Sequence, residues 1–227
     1  EEALMPRLII FCKAPVSGNV KTRLIPEFTA DIARDIHIEL AERTFALCET
    51  LQGVLINSEP LKVELWCAPD LTHTFFQPFG FDKFVQAGAD LGERMANALN
   101  FGDGQDGTAS VLIGTDCPPI DQDYILRAFD VLADSDVVLG PAEDGGYGLI
   151  GLSAGRLARG DWLPLFEGIP WSTNAVTTMT SAQAKVLGVS VALLKEIWDV
   201  DYPEDVRRWR AYQDRHDQID KPSAKAI

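Results

Sequence analysis

The sequence predicts an α/β protein: a mostly parallel sheet with helices on both faces. Three observations carry this expectation. Short apolar runs alternate with helix-patterned segments along the whole chain. The runs are apolar in the manner of strands buried on both faces. No internal repeat or linker interrupts them, so the 227 residues read as one domain over 5–216 with a polar tail over 217–227.

The elements follow in order. Arg7 to Cys12 is a buried-strand run, and Lys13–Arg23 is a loop. A helix starts near Thr29, with Ile36, Leu40, Leu47 and Leu51 on one face and Arg34, Glu42 and Arg43 off it. Leu61–Cys67 is the second strand, closed by Pro69, and Lys83–Gln86 is a short third. Asp90 opens a helix to about Asn100, with Glu93 placed as in a capping box. Gly102–Thr108 reads as a polar turn before the strand Ala109–Gly114. Asp121 opens the next helix, with Ile120 and Ile125 as a hydrophobic staple. Asp136–Gly140, Gly146–Leu152 and Val189–Leu194 complete the strands. A helix over Thr173–Lys185 precedes the last of them, and a final helix starts at Pro203, a residue suited to a first turn.

Composition narrows the function. A net charge of −14 argues against nucleic acid, whose phosphates need Lys and Arg in excess, and against an anionic membrane surface. The partner expected is a nucleotide or nucleotide-sugar small molecule, and nothing indicates an oligomer. Cys12, Cys48, Cys67 and Cys117 form no CxxC pair. Buried reduced thiols are expected for Cys12 and Cys67, while Cys117 sits in a site loop with a catalytic thiol as a minor alternative. The acidic start has no long apolar run, so no signal peptide or membrane span is expected and the cytoplasm follows.

In such sheets ligands bind beyond the carboxyl ends of the strands. The loops Lys13–Arg23, Thr115–Pro119, Ala142–Gly146 and Trp198–Tyr202 should therefore meet at one cleft. The first carries Lys13, Lys21 and Arg23 in an otherwise acidic chain, with Gly18 leaving its backbone open to an anion. The spacing is not that of a Walker A loop. A solvated basic turn is the alternative.

Asp116 ends the most apolar strand, where an uncompensated charge is costly. It is the first candidate ligand for Mg2+ or Mn2+. Without the ion it is expected to destabilise the fold or stay partly protonated. Asp199 and Asp201 share a side if extended and are candidate second ligands. Asp201 could instead cap the last helix, with Glu204 and Asp205 at its dipole. Asp144 is a candidate base or hydroxyl ligand, flanked by Gly145, Gly146 and Tyr147, although Asp144-Gly145 alone would make a hairpin turn. Gln86, Asp90 and Gly92 form a helix start whose inner glycine costs about 1 kcal/mol against Ala, which suggests close approach by a ligand or backbone. Trp171 could stack on an acceptor ring or serve the core or an interface.

The motifs FCKAPVSGNVKTRL, QAGADLGERM, IGTDCP, LGPAEDGGYGLIGL, IPWST and DVDYPED, in this order from Leu8 to about Trp209, resemble a bacterial family of GT-A-fold proteins described as nucleotide-diphospho-sugar transferase-like. Some members are named as glycosyltransferases of arsenosugar biosynthesis. More distantly the chain is similar to nucleotidylyltransferases that make molybdenum-cofactor and deazaflavin-cofactor precursors. Three positions depart from the pattern: Ser17 in place of a proline, Gly148 in place of a bulky residue, which would widen the acceptor side, and Tyr202 in place of a Thr cap. The resemblance implies a GT-A-like (Rossmann-like) fold and metal-dependent glycosyl transfer from a nucleoside diphosphate sugar. Nucleotidylyl transfer from a nucleoside triphosphate and non-catalytic metabolite binding are the alternatives.

Overall fold

The computed structural model describes residues 5–101 and 108–219, without side chains for 216–219. The turn expected at Gly102–Thr108 and the end of the polar tail lie largely outside them.

The chain forms β1 (Arg7–Lys13), α1 (Ala30–Leu51), a small hairpin of β2 (Leu55–Ile56) and β3 (Glu59–Pro60), β4 (Lys62–Ala68), β5 (Asp82–Val85), α2 (Leu91–Leu99), β6 (Ser110–Ile113) and α3 (Gln122–Val131). It continues with β7 (Val137–Pro141), β8 (Tyr147–Leu152), α4 (Ala154–Arg159), α5 (Val176–Val186), β9 (Val191–Leu193) and α6 (Pro203–Ile219). Seven strands make one sheet in the order β5-β4-β1-β6-β8-β7-β9. All neighbours run parallel except β8, which is antiparallel to both β6 and β7. The α/β class and the mostly parallel sheet are as expected. The hairpin β2–β3 and helix α4 are additions, and the helix expected from Thr173 starts at Val176.

Alternation along β1 explains the two layers. Leu8, Ile10 and Cys12 enter one core with Phe45 of α1 and Ile125 and Phe129 of α3. Ile9 and Phe11 enter the other with Met95 of α2, Leu157 of α4 and Ala184 of α5. Ile120 and Ile125 are both buried in the first core, as a staple would place them.

A third cluster joins Leu24, Ile36, Leu40, Trp198, Val200, Val206 and Trp209. It clamps the loop after β1 and the segment before α6 onto α1. Below the sheet, Arg7 donates to Glu64 at 3.1 and 2.8 Å and to the α2 carbonyls of Ala98 and Leu99. Four of the five guanidinium N–H groups of this buried charge pair are thereby bonded.

The helix starts are capped as the sequence indicates. Thr29, Asp90 and Asp121 accept from the backbone N–H three residues on. Glu93 reaches the N–H of Ala89 rather than that of the capping residue.

Candidate functional site

The cleft lies at the carboxyl ends of β1 and β6 and beside the β7–β8 turn, with a volume of about 540 Å³. One hydrogen bond accounts for its acidic centre. The N–H of Val200 donates to the carbonyl of Asp116 at 2.9 Å, which lays the segment before α6 along the end of β6. Val200 is fully buried, so Asp199 and Asp201 on either side of it turn the other way, toward Asp116. One ligand atom from each of Asp116, Asp199 and Asp201 lies within 4.8 Å of the others. Three hard oxygens at this spacing fit Mg2+ or Mn2+ better than a soft metal.

Asp201 does not cap α6. The carboxylate of Asp205 accepts from the N–H groups of Asp201 and Tyr202 at 3.1 and 2.8 Å. That leaves the Asp201 side chain to the cations. Arg23 donates to its Oδ2 at 2.6 Å and Lys21 to its Oδ1 at 3.1 Å.

Lys21 also donates to Asp116 Oδ2 at 3.0 Å. Its side chain is only 6 % exposed, against 47 % for Arg23. Of the two expected phosphate cations, Arg23 therefore faces solvent and Lys21 is enclosed.

Electrostatics follow from this packing. Burial alone would lower the Lys21 ammonium, but Asp116 and Asp201 overcome it and hold its pKa above the ordinary value. Burial would raise Asp116, but the Lys21 charge overcomes it and holds Asp116 below the usual carboxylate range. This corrects the expectation that Asp116 is destabilising or partly protonated without a metal: a lysine already neutralises it. The group left raised is Asp199. Burial, then the Asp116 and Asp201 charges, push it up to about 7.

The remaining candidates divide into two groups. Asp144, Gly146, Tyr147 and Trp171 line the cleft. Asp144 Oδ1 accepts from the Gly146 N–H at 2.8 Å; Oδ2 has no hydrogen bond among the described residues. The turn suggested by Asp144-Gly145 does form, with Gly145 at φ 89° and its N–H on the Ala142 carbonyl. Gly145 packs against the backbone of Asn174.

Lys13, Gly18, Gln86, Asp90 and Gly92 do not line the cleft. Lys13 donates to the Asn19 carbonyl at 2.8 Å and so closes its own loop, where Gly18 takes φ 80°. Buried His37 of α1 sits 2.8 Å from the Lys13 carbonyl. Gln86 donates to the Trp66 and Cys12 carbonyls, tying β5 to β4 and β1. Asp90 serves as the α2 cap.

The close approach at Gly92 is made by the Trp171 indole. Gly148 lines the cleft. A methyl group there would stand 2.5 Å from Cys117 Sγ, so the missing side chain is filled by the thiol. Cys117 is buried, and burial followed by the Asp116 charge keeps it a thiol. That disfavours the alternative of a catalytic thiolate. The apolar wall of Phe11, Leu91, Met95 and Leu112 was not anticipated. Phe11 and Leu112 look like any core strand residue in the sequence, although Leu91 and Met95, one turn apart on the helix after a cap, mark a shared face.

Comparison with known proteins follows the same lines. No curated protein matches the chain. A solved structure from Desulfovibrio desulfuricans G20, provisionally described as a nucleotide-diphospho-sugar transferase, is 27 % identical with a TM-score of 0.73, covering 87 % of this chain and 82 % of its own. A nucleotidyl transferase from Methanothermobacter thermautotroptrophicus is 12 % identical, with TM-score 0.59 over 94 % of this chain and 100 % of its own. The 2-C-methyl-D-erythritol 4-phosphate cytidylyltransferase of Thermus thermophilus is 16 % identical, with TM-score 0.52 over 92 % and 98 %. The last two share the fold, which is nucleotide-diphospho-sugar transferase-like as the motifs implied. A family profile matches residues 50–173, more than half of the sequence, and the chain belongs to that family, described as "Uncharacterized protein conserved in bacteria (DUF2064)".

Proposed function

We propose that this protein is a transferase that moves a glycosyl group from a nucleoside diphosphate sugar to a small acceptor, with residues 5–216 acting as one nucleotide-binding domain. The observation that carries the reading is the meeting of Asp116, Asp199 and Asp201 within 4.8 Å at the strand ends, beside the half-exposed guanidinium of Arg23. A likeness of 27 % identity to a protein provisionally described as a nucleotide-diphospho-sugar transferase supports it.

A divalent cation held by the three carboxylates would neutralise charge on the departing diphosphate. Arg23 offers a planar fork to a phosphate oxygen pair. Asp144 lines the cleft, and its Oδ2 could accept a hydrogen bond from a hydroxyl of the sugar or take a proton from the acceptor. Tyr147 and Trp171, 6.5 Å apart edge to face, supply an aromatic wall against which a ring can lie.

A cytoplasmic setting belongs to the same proposal. The four cysteines are free, and no helix among the described residues is long and apolar enough to cross a membrane.

The test is a product assay on panels of nucleoside diphosphate sugars and nucleoside triphosphates with Mn2+ or Mg2+. Release of a nucleoside diphosphate is expected. Release of pyrophosphate alone would replace this reading with nucleotidylyl transfer, and saturable binding without turnover on either panel would leave a metabolite binder.

A further inference from the structure

We infer that Lys21 is a tethered counter-cation of the acidic trio, and that its ammonium must leave Asp116 and Asp201 before a divalent ion can occupy them. The inference rests on reading the trio as a cation site. It adds that the site is already filled by the chain itself.

The geometry leaves little room for both cations. Lys21 Nζ lies 3.0 Å from Asp116 Oδ2 and 3.1 Å from Asp201 Oδ1. Arg23 takes the other oxygen of Asp201 at 2.6 Å. Asp201 therefore has no oxygen free of a cation, and Asp116 has one. Asp199 makes no ion pair among the described residues. An ion seated against all three would meet the ammonium at close range, because the Lys21 side chain is enclosed at 6 % exposure and fills the inner side of carboxylates that are 40 % and 26 % exposed.

The backbone keeps the lysine in place while leaving its head free to move. Lys21 sits at φ 46°, a left-handed conformation, at the start of the 3-10 turn Thr22–Leu24. That turn is anchored by Leu24, which is buried against Val200 and Trp198. The four-carbon stem reaches from this fixed point into the cleft, which Lys21 lines. Its ammonium can swing from a carboxylate to a phosphate without unfolding the loop.

A consequence is thermodynamic linkage. An anion that draws Lys21 away vacates the oxygens a metal needs, and a metal that displaces Lys21 frees a cation for the anion. Diphosphate and divalent ion should then each strengthen the other's binding by the same factor.

The experiment uses Mn2+ alone, followed by the spin-resonance signal of the free ion, on the parent and on Lys21→Met. The variant should bind Mn2+ at least tenfold more tightly, and adding Asp116→Asn to it should abolish the gain. Equal or weaker binding by Lys21→Met, including no binding by either protein, overturns the inference.

A second measurement on the parent covers the case in which the variant folds poorly. Acetylation of Lys21, mapped by mass spectrometry, should rise severalfold as Mn2+ is raised to saturation, with exposed Lys185 and Lys195 unchanged. A flat Lys21 yield overturns the inference. Neither readout depends on turnover, so a protein that behaves this way but transfers no glycosyl group would refute the proposed activity and leave the displacement standing.

Discussion

The indole of Trp171 rests on the Cα of Gly92. A methyl group at that position would stand 2.5 Å from Cζ2 and 2.9 Å from Nε1. Trp171 lies in the short stretch between Gly168 and Ser172, both at positive φ, and its indole must give way to a methyl group by a shift of the ring or of its loop. Gly92→Ala should therefore shift the aromatic side of the cleft while sparing the carboxylates. Helix propensity favours the change by about 1 kcal/mol, and overpacking opposes it by about 1–3 kcal/mol, so a small net loss of stability is expected. With all five tryptophans fluorine-labelled, the Trp171 resonance should move in the variant. Mn2+ binding should not change. An unmoved spectrum would show that the ring accommodates the methyl group.

Asp116→Asn should destabilise the protein, not relieve it. The substitution leaves the enclosed Lys21 with Asp201 as its remaining carboxylate, and the charge lost from a partner that is 40 % exposed should cost about 1 kcal/mol. It should also remove most Mn2+ binding. Urea titration and Mn2+ titration of the same preparation check both. Unchanged stability would mean that the Lys21–Asp116 pair contributes little.

Metal binding should depend on pH through Asp199. Its folded pKa of about 7 lies above the unfolded value of about 3.9. The native state thus holds an extra proton between the two, and its stability falls as pH rises from about 4 to 7. A divalent ion prefers the ionised form, so Mn2+ affinity should climb up to about pH 7 and level off above it. Titrations in two buffers of different protonation enthalpy should show a proton released below that pH. Asp199→Asn should flatten the profile, and an affinity independent of pH in the parent would contradict the assignment.

A nucleoside diphosphate should raise the melting temperature more than its monophosphate, and Arg23→Ala should shrink that difference. The loss of a charge-assisted bond corresponds to about 1.5–3 kcal/mol of binding. Arg23 is the informative position because its guanidinium is accessible, whereas substituting Lys21 also disturbs the carboxylates. A variant with the parent's preference for the diphosphate would move the phosphate site elsewhere.

The cysteines should be inert in the native state. All four are free and buried. Burial pushes Cys48 and Cys67 up to about 12, and it raises Cys12 and Cys117 as well. A thiol reagent should label none of them until denaturant is added and then label all four. Reducing agent should leave the melting temperature unchanged. Rapid labelling of Cys117 in the folded protein would restore it as a candidate nucleophile.

The centre of the sheet is legible because β1 and β6 press two cores, which writes nearly unbroken apolar runs into the sequence. The direction of β8 is not. Asp144-Gly145 is an ordinary hairpin signal, but alternation of strand and helix along the chain points only to a mostly parallel sheet and does not single out the one reversed strand. Helix α4 is only six residues long, too short for a periodic stripe, although Ser153 and Gly160 mark its two ends as caps do. In the cleft, the aspartates stood out because charge at the end of an apolar strand demands compensation. The identity of the compensator did not, since Lys21 lies 95 residues from Asp116 and 180 from Asp201. At Gly92 the sequence suggests close approach by a ligand or a backbone, but a glycine records only that something is near, and the neighbour here is an aromatic ring from a distant loop.

The hydrogen bond between Val200 and Asp116 has a bearing on how the protein is made. Every strand of the sheet has been synthesised by Leu193, yet two of the three clustered carboxylates come later, at Asp199 and Asp201. A growing chain stopped just after β9 would have all its sheet partners in hand and only Asp116 to offer a cation. The trio is complete only when the segment holding Asp199 and Asp201 docks beside a strand laid down more than eighty residues earlier, so an incomplete polypeptide can be nearly native in its sheet and still lack the carboxylate cluster on which the proposed cation site depends.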